Sequence, residues 1–117
     1  MNLQRLILQK AKLMTSVFPD RVLLLTNHLY EFAGSEMIII ELVEALSAHG
    51  TSVTVFSNDV DTKFSDVIVQ LGGKIVEDAT EITLSQFDLI YSQHSVITLF
   101  LDQLLKLGDL DRPAIVY

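Results

Sequence analysis

The sequence predicts an α/β fold built on a parallel, mostly buried sheet, and three observations carry that prediction. Short continuous apolar runs recur along the chain, the first over residues 22–25, and such runs suit strands covered on both faces. Stretches with helical spacing lie between them and are followed by Gly50, Gly72 and Gly108, the residue type that best fills the left-handed position past a helix end. Strands that alternate with helices need crossover connections, which make neighbouring strands parallel and place helices on both faces of the sheet. At 117 residues, half of them hydrophobic and 20% charged, the chain has room for one core and composition enough to fold unaided.

The first eighteen residues form a zone of their own. Leu3, Leu6, Ile7, Ala11 and Met14 make one apolar stripe at near-helical spacing, so an amphipathic helix over residues 1–18 is expected, ended before Pro19. Arg5, Lys10 and Lys12 precede the first acid, Asp20. That basic face allows peripheral contact with an anionic membrane surface, but self-association with a neighbouring copy, or docking on the domain, explains the same pattern more simply. Gln9, Lys10 and Lys12 interrupt what would be the apolar centre of a secretory signal. No stretch is apolar for long enough to span a bilayer.

Residues 19–117 supply the domain. Residues 22–26 read as the first strand, residues 27–34 as a long loop, and residues 35–49 as a helix with Ile38, Leu42, Ala45 and Leu46 on one face. Residues 51–57 form the second strand, and Asn58, Asp59 and Asp61 then suggest a turn. Phe64, Val67, Ile68 and Leu71 share a helical face; the β-branched residues 67–69 leave a strand open there, and Gly72-Gly73 favours a helix end. Residues 74–76, 87–91 and 113–117 read as the remaining strands, with a helix over 95–107 whose N-cap is Ser95 and whose end is Gly108. Together these elements describe a Rossmann-like sheet with helices on both faces, preceded by the extra N-terminal helix. A chain that stops on an apolar strand leaves that strand without an obvious cover, so this sequence is expected to be the first part of a longer protein.

Composition narrows the chemistry. A net charge of −7 opposes binding to a nucleic-acid backbone, so no nucleic-acid partner is expected. The absence of cysteine excludes a disulfide framework and a thiolate metal site, and suits a reducing compartment, with the cytoplasm expected. In open parallel sheets ligands bind beyond the carboxyl ends of the strands, which selects the loops after Thr26, Ser57 and Tyr91. In the first, Gly34 lets the backbone approach a ligand and the helix N-terminus at Ser35 offers N–H groups to a phosphate. A purely structural reading has Ser35 as the cap, Glu36 as a dipole partner and Gly34 as a turn. Neither G-x-G-x-x-G nor G-x-x-x-x-G-K-[ST] is present, which disfavours a dinucleotide fingerprint and a P-loop. The acidic pair of a response regulator is also missing from the segment Thr26-Asn27-His28.

In the last loop, Ser92-Gln93-His94-Ser95 sets His94 toward the same crevice, where an imidazole can accept a proton from, or hydrogen-bond to, a hydroxylated substrate. His28 has the same placement after the first strand. For both, a histidine that satisfies only local backbone groups is the ordinary alternative, while His49 in the last turn of its helix suits a dipole partner. No histidines or carboxylates show metal-ligand spacing, and no metal or cofactor is expected.

The order of these motifs resembles a known family. Arg21-Val22-Leu23-Leu24-Leu25-Thr26, then Phe32-Ala33-Gly34-Ser35-Glu36 opening a helix, then Leu42-Val43-Glu44-Ala45-Leu46-Ser47-Ala48-His49-Gly50-Thr51-Ser52-Val53-Thr54-Val55, and later Phe87-Asp88-Leu89-Ile90-Tyr91-Ser92-Gln93-His94 are similar to the N-terminal domain of family-4 glycosyltransferases of the GT-B fold. Ala33 stands where the family has the first glycine of its loop, and Gln93 where it has a histidine. The resemblance implies a transferase that moves a sugar from a nucleotide-sugar donor to an acceptor bound on this domain, with a C-terminal domain holding most of the donor; without that domain the chain is expected to be inactive. It also implies roles by position: Gly34 and Ser35 near the donor diphosphate, His94 as the catalytic candidate near the reacting sugar, and His28 and Gln93 on the acceptor side. The alternative is a noncatalytic Rossmann-like binding or assembly module.

Overall fold

The computed structural model describes residues 5, 19–32, 34–108 and 112–117. The expected N-terminal helix over 1–18 lies, Arg5 apart, outside the described residues. Five strands, β1 (Arg21–Leu29), β2 (Ser52–Val60), β3 (Lys74–Val76), β4 (Leu89–Ser92) and β5 (Ala114–Val116), pair in parallel in the order β3-β2-β1-β4-β5. Three α-helices accompany them among the described residues: α1 (Ser35–Ala48), α2 (Thr62–Gln70) and α3 (Leu101–Lys106). This is the Rossmann-like α/β architecture that the sequence predicts.

β1 is central because its apolar run serves both faces. Val22 and Leu24 join Ile39, Leu42 and Val43 of α1 and Phe64 and Ile68 of α2 in one core. Leu23 and Leu25 join Phe56, Leu84, Ile90, Ile97 and Phe100 in the other. Residues 22–25 are all fully buried, and each such side chain contributes about 1.5–3 kcal/mol of gross burial. Two of the three predicted helix ends hold as well, whereas Gly108 does not take the left-handed position. There α3 stops at Lys106 and Leu107 is already extended, at φ −70 and ψ 130. Gly50 at φ +82 and Gly72 at φ +96 occupy the left-handed position, and Thr51 N donates to Leu46 O at 3.1 Å and Gly73 N to Ile68 O at 2.9 Å, the six-to-one bonds of a Schellman close.

Three expectations need correction. β1 and β2 both run to residues 29 and 60, with His28 opposite Asp59 and Leu29 opposite Val60, so Asn58 and Asp59 are strand residues rather than a turn. Leu29 is fully buried and Asp61 N donates to Leu29 O at 2.8 Å; an apolar anchor and a continued ladder carry the pairing past its polar residues. The stretch expected as one helix over 95–107 is a tight 3-10 turn, Val96–Phe100, followed by the six-residue α3. Ser95 adopts φ 58 with no capping bond from its side chain, so the segment lacks the expected cap of a longer helix, and Val96, Ile97 and Phe100 are buried. The second face of the sheet is therefore covered by this turn, by the short turns Ala79–Glu81 and Leu84–Gln86, and by α3. Gln103 of α3 ties them down, accepting from Leu84 N and donating to Ile82 O, both at 2.7 Å.

Candidate functional site

The chain lays down β1, β2 and β3 outward in one direction and returns to add β4 and β5 on the other side of β1. The order thus reverses between β1 and β4, the position where open α/β sheets leave a crevice beyond the strand ends. His28 on β1, Gly34 and Ser35 at the start of α1, and Gln93 and His94 after β4 meet at that edge.

Gly34 holds the cap position of α1 with φ 56 and ψ −128, a region that L-residues with a Cβ disfavour. A Cβ built there meets nothing within 4 Å, so glycine is required by backbone conformation and not by space. Ser35 is the first helical residue, and no side chain caps α1, which corrects the expected serine cap. Its Oγ lies instead 3.3 Å from His94 Nε2. His94 and Ser95 are consecutive non-glycine residues at φ 56 and 58. Such conformations cost about 1 kcal/mol or more each, and here they turn the histidine ring back toward α1.

Gln93 is buried, at 7% exposure. Its Oε1 accepts from Thr26 Oγ1 at 2.9 Å, and its Nε2 donates to Ser35 O at 3.1 Å and to Tyr91 Oη at 3.2 Å. Its backbone N–H donates to Leu25 O at 2.8 Å. One side chain thereby ties β1, β4 and α1 together at the mouth of the crevice.

Three rings stand in a row above the end of β1. His28 lies near-parallel to Tyr30, with centroids 5.2 Å apart, and to His94, with centroids 6.0 Å apart. Tyr30 donates its hydroxyl to the Asp59 carboxylate. That hydrogen bond is the main cause holding the phenol above its ordinary value of 10.0, with desolvation and the charge of Asp59 acting the same way. Asn58 Nδ2 donates to Asn27 Oδ1 at 2.7 Å, a second cross-strand link on the same edge.

Glu36 does more than complement a dipole. It is buried at 8% exposure, and its Oε2 accepts from the N–H groups of Tyr30 and of Glu31, the latter at 2.8 Å. The carboxylate therefore clamps the loop that carries Tyr30 onto α1. Phe32 packs on the buried Phe64 at 4.2 Å between centroids, with Lys63 Nζ 5.7 Å above its ring.

An open cleft of about 430 Å³ fills the crevice, lined by Ser35, Tyr91, Gln93, His94 and Tyr117 among others. A concavity of about 460 Å³ beyond β2 and β3 is lined by Thr62, Glu77, Asp78 and Glu81. There the Asp78 carboxylate is held below its ordinary value by the hydroxyl and backbone N–H of Thr80, which makes it a turn cap rather than a free ligand group. We place the candidate site in the first cleft because, of the two, it alone has the uncapped start of α1 and an imidazole, that of His94, in its wall. Among the described residues, no three histidine or carboxylate groups are arranged to hold a metal ion, and no helix is long and apolar enough to cross a membrane.

The predicted site residues Gly34, Ser35, His28, Gln93 and His94 all lie at this edge, with Gln93 buried, His28 half-buried and His94 exposed. Reading the sequence missed the partnership of Tyr30 with Asp59 and the clamp made by Glu36. Asp59 beside Asn58 has turn composition, and only the extended register with β1 reveals it as a neighbour of His28. No protein-family model and no curated protein matches this chain.

Proposed function

We propose that the chain is the acceptor-side domain of a cytoplasmic glycosyltransferase, which moves a sugar from a nucleotide-sugar donor to an acceptor in concert with a donor-binding domain. The observation that carries this reading is the convergence of Gly34, Ser35, His28 and His94 at the reversal of the strand order. The family resemblance of the motifs in the same order along the chain supports it. In this reading the first-turn N–H groups of α1 meet the charge of the departing nucleoside diphosphate, and His94, held by Ser35, hydrogen-bonds a hydroxyl of the reacting sugar.

The test is calorimetric titration with uridine, guanosine and adenosine diphosphates of the protein extended through the donor-binding domain that this reading requires. Saturable binding of one of them is expected, weakened about ten-fold or more by Gly34→Asp, which brings a further carboxylate against the anion. Absence of binding by all three, or binding indifferent to that substitution, removes the reading. A noncatalytic assembly module is the second reading, favoured by Leu101 and Leu105, one turn apart on α3 at 54% and 77% exposure. Sedimentation of the parent, of Leu105→Asp and of the chain without residues 1–18 tests it, loss of an oligomer in either variant being its expected result.

A further inference from the structure

We infer that the edge formed by His28, Tyr30, Asp59 and His94 is a subsite for an uncharged polyhydroxylated ring, a neutral sugar or cyclic polyol, and that Asp59 and Tyr30 read its hydroxyls. The inference rests on the transferase reading, in which this ring is the acceptor. Four observations carry it.

The groups have the right chemistry. A carboxylate offers about four acceptor positions, of which the Tyr30 hydroxyl takes one, so adjacent ligand hydroxyls find an acceptor in Asp59 and another in the phenol oxygen. The imidazoles of His28 and His94 each add a donor or acceptor. The groups are also pre-positioned. Asp59 and His28 are opposite each other in the β1–β2 register, Glu36 clamps the backbone beside Tyr30, and the rings brace one another, which lowers the ordering cost of binding.

The groups are accessible. Tyr30 is 41% exposed and Asp59 and His94 are exposed, so a ligand reaches them without displacing core. The field selects a ligand without negative charge. Asp59 and Asp61 lie together at the end of β2 and Glu31 follows Tyr30, whereas Arg21 and Lys74 sit at the opposite, amino ends of their strands. Lys63 is held over Phe32. A phosphorylated or carboxylated ring would meet a carboxylate at the point where its hydroxyls need an acceptor.

The experiment follows the histidine imidazole resonances of the full chain during titration with methyl glycosides of glucose, galactose, mannose and N-acetylglucosamine, and with glucose 6-phosphate. The expected result is a saturable shift at His28 and His94, none at His49, for at least one neutral glycoside. Asp59→Asn should weaken that binding about ten-fold or more and Tyr30→Phe by about three-fold to ten-fold, and the phosphate should bind more weakly than the best neutral ring. Failure of all four glycosides to move both imidazoles, full binding by Asp59→Asn, or tighter binding of the phosphate overturns the proposal. Parallel titration of the protein extended through the donor-binding domain with nucleoside diphosphates, observed at the Gly34 amide, separates the two claims. Glycoside binding without nucleotide binding supports the polyol subsite and removes the transferase reading, whereas the reverse removes the subsite alone.

Discussion

Replacing Gln93 with methionine should destabilise the domain by about 4–6 kcal/mol, because the buried amide is a structural joint. The variant keeps the length of the side chain and removes three hydrogen bonds, to Thr26, Ser35 and Tyr91. Neutral bonds contribute about 1 kcal/mol each, and a buried group left without a partner adds about 1–3 kcal/mol. Thr26 is fully buried, so its hydroxyl suffers that second loss, while the Tyr91 hydroxyl and the Ser35 carbonyl lie nearer the open cleft and recover water. Urea unfolding followed by far-ultraviolet circular dichroism measures the change as a shift in midpoint at constant slope. Thr26→Val alone should cost about 1–2 kcal/mol by orphaning the amide oxygen. The double variant should cost less than the two together, with a coupling of about 1–2 kcal/mol, since each single change strands the other partner. A Gln93→Met midpoint within error of the parent, with no coupling to Thr26→Val, would refute the reasoning and leave the amide free for a ligand.

Further outcomes follow from other contacts. Gly73→Ala should lower stability by about 1–3 kcal/mol through overpacking, since a Cβ there falls 2.9 Å from Ile68 Cγ2 and 3.0 Å from Val43 Cγ1; the urea midpoint measures it, and an unchanged midpoint would show that this junction yields. Tyr30 should ionise above the ordinary phenol value because its hydroxyl is given to Asp59. The stabilisation from that bond is present below the ordinary value and is lost as pH rises through the folded-state value. Absorbance titration near 295 nm should show one phenol moving back toward 10.0 in Asp59→Asn, and an identical curve would remove the bond. For Asp78, held low by Thr80, the sign is opposite: the cap stabilises above the ordinary 3.8 and is lost as pH falls through the folded value. Thr80→Val should therefore lower stability at pH 6 more than at pH 2, and equal losses at both would count against the cap.

Much of the fold is legible in the chain because its signals are local. Leu23 and Leu25 face one core and Val22 and Leu24 the other, a pattern that a continuous apolar run already announces. Gly50 and Gly72 mark helix ends because only glycine takes a positive φ there without cost. The candidate site was legible as a location, since Gly34, Ser35, Gln93 and His94 follow strands that end at the same edge and His28 lies near the end of the ladder there. Their roles were less so. Ser35 looks like a cap and is a partner of His94, and Glu36 looks like a dipole partner and is a loop clamp.

The amino-acid order alone settled the α/β class, the position of every described strand and the helix ends after residues 48 and 70, because periodicity and glycine act within a few residues. The tertiary structure decided how far β1 and β2 run, since Leu29 and Val60 hold polar neighbours in a ladder that their own preferences would end. It decided the roles of Gln93 and Asp59 in the same way. Gln93 meets Thr26 from 67 residues away, and Asp59 meets Tyr30 from 29 away. A polar side chain far along the chain carries no local sign of its partner, and only the packing of the sheet brings the two within hydrogen-bonding reach.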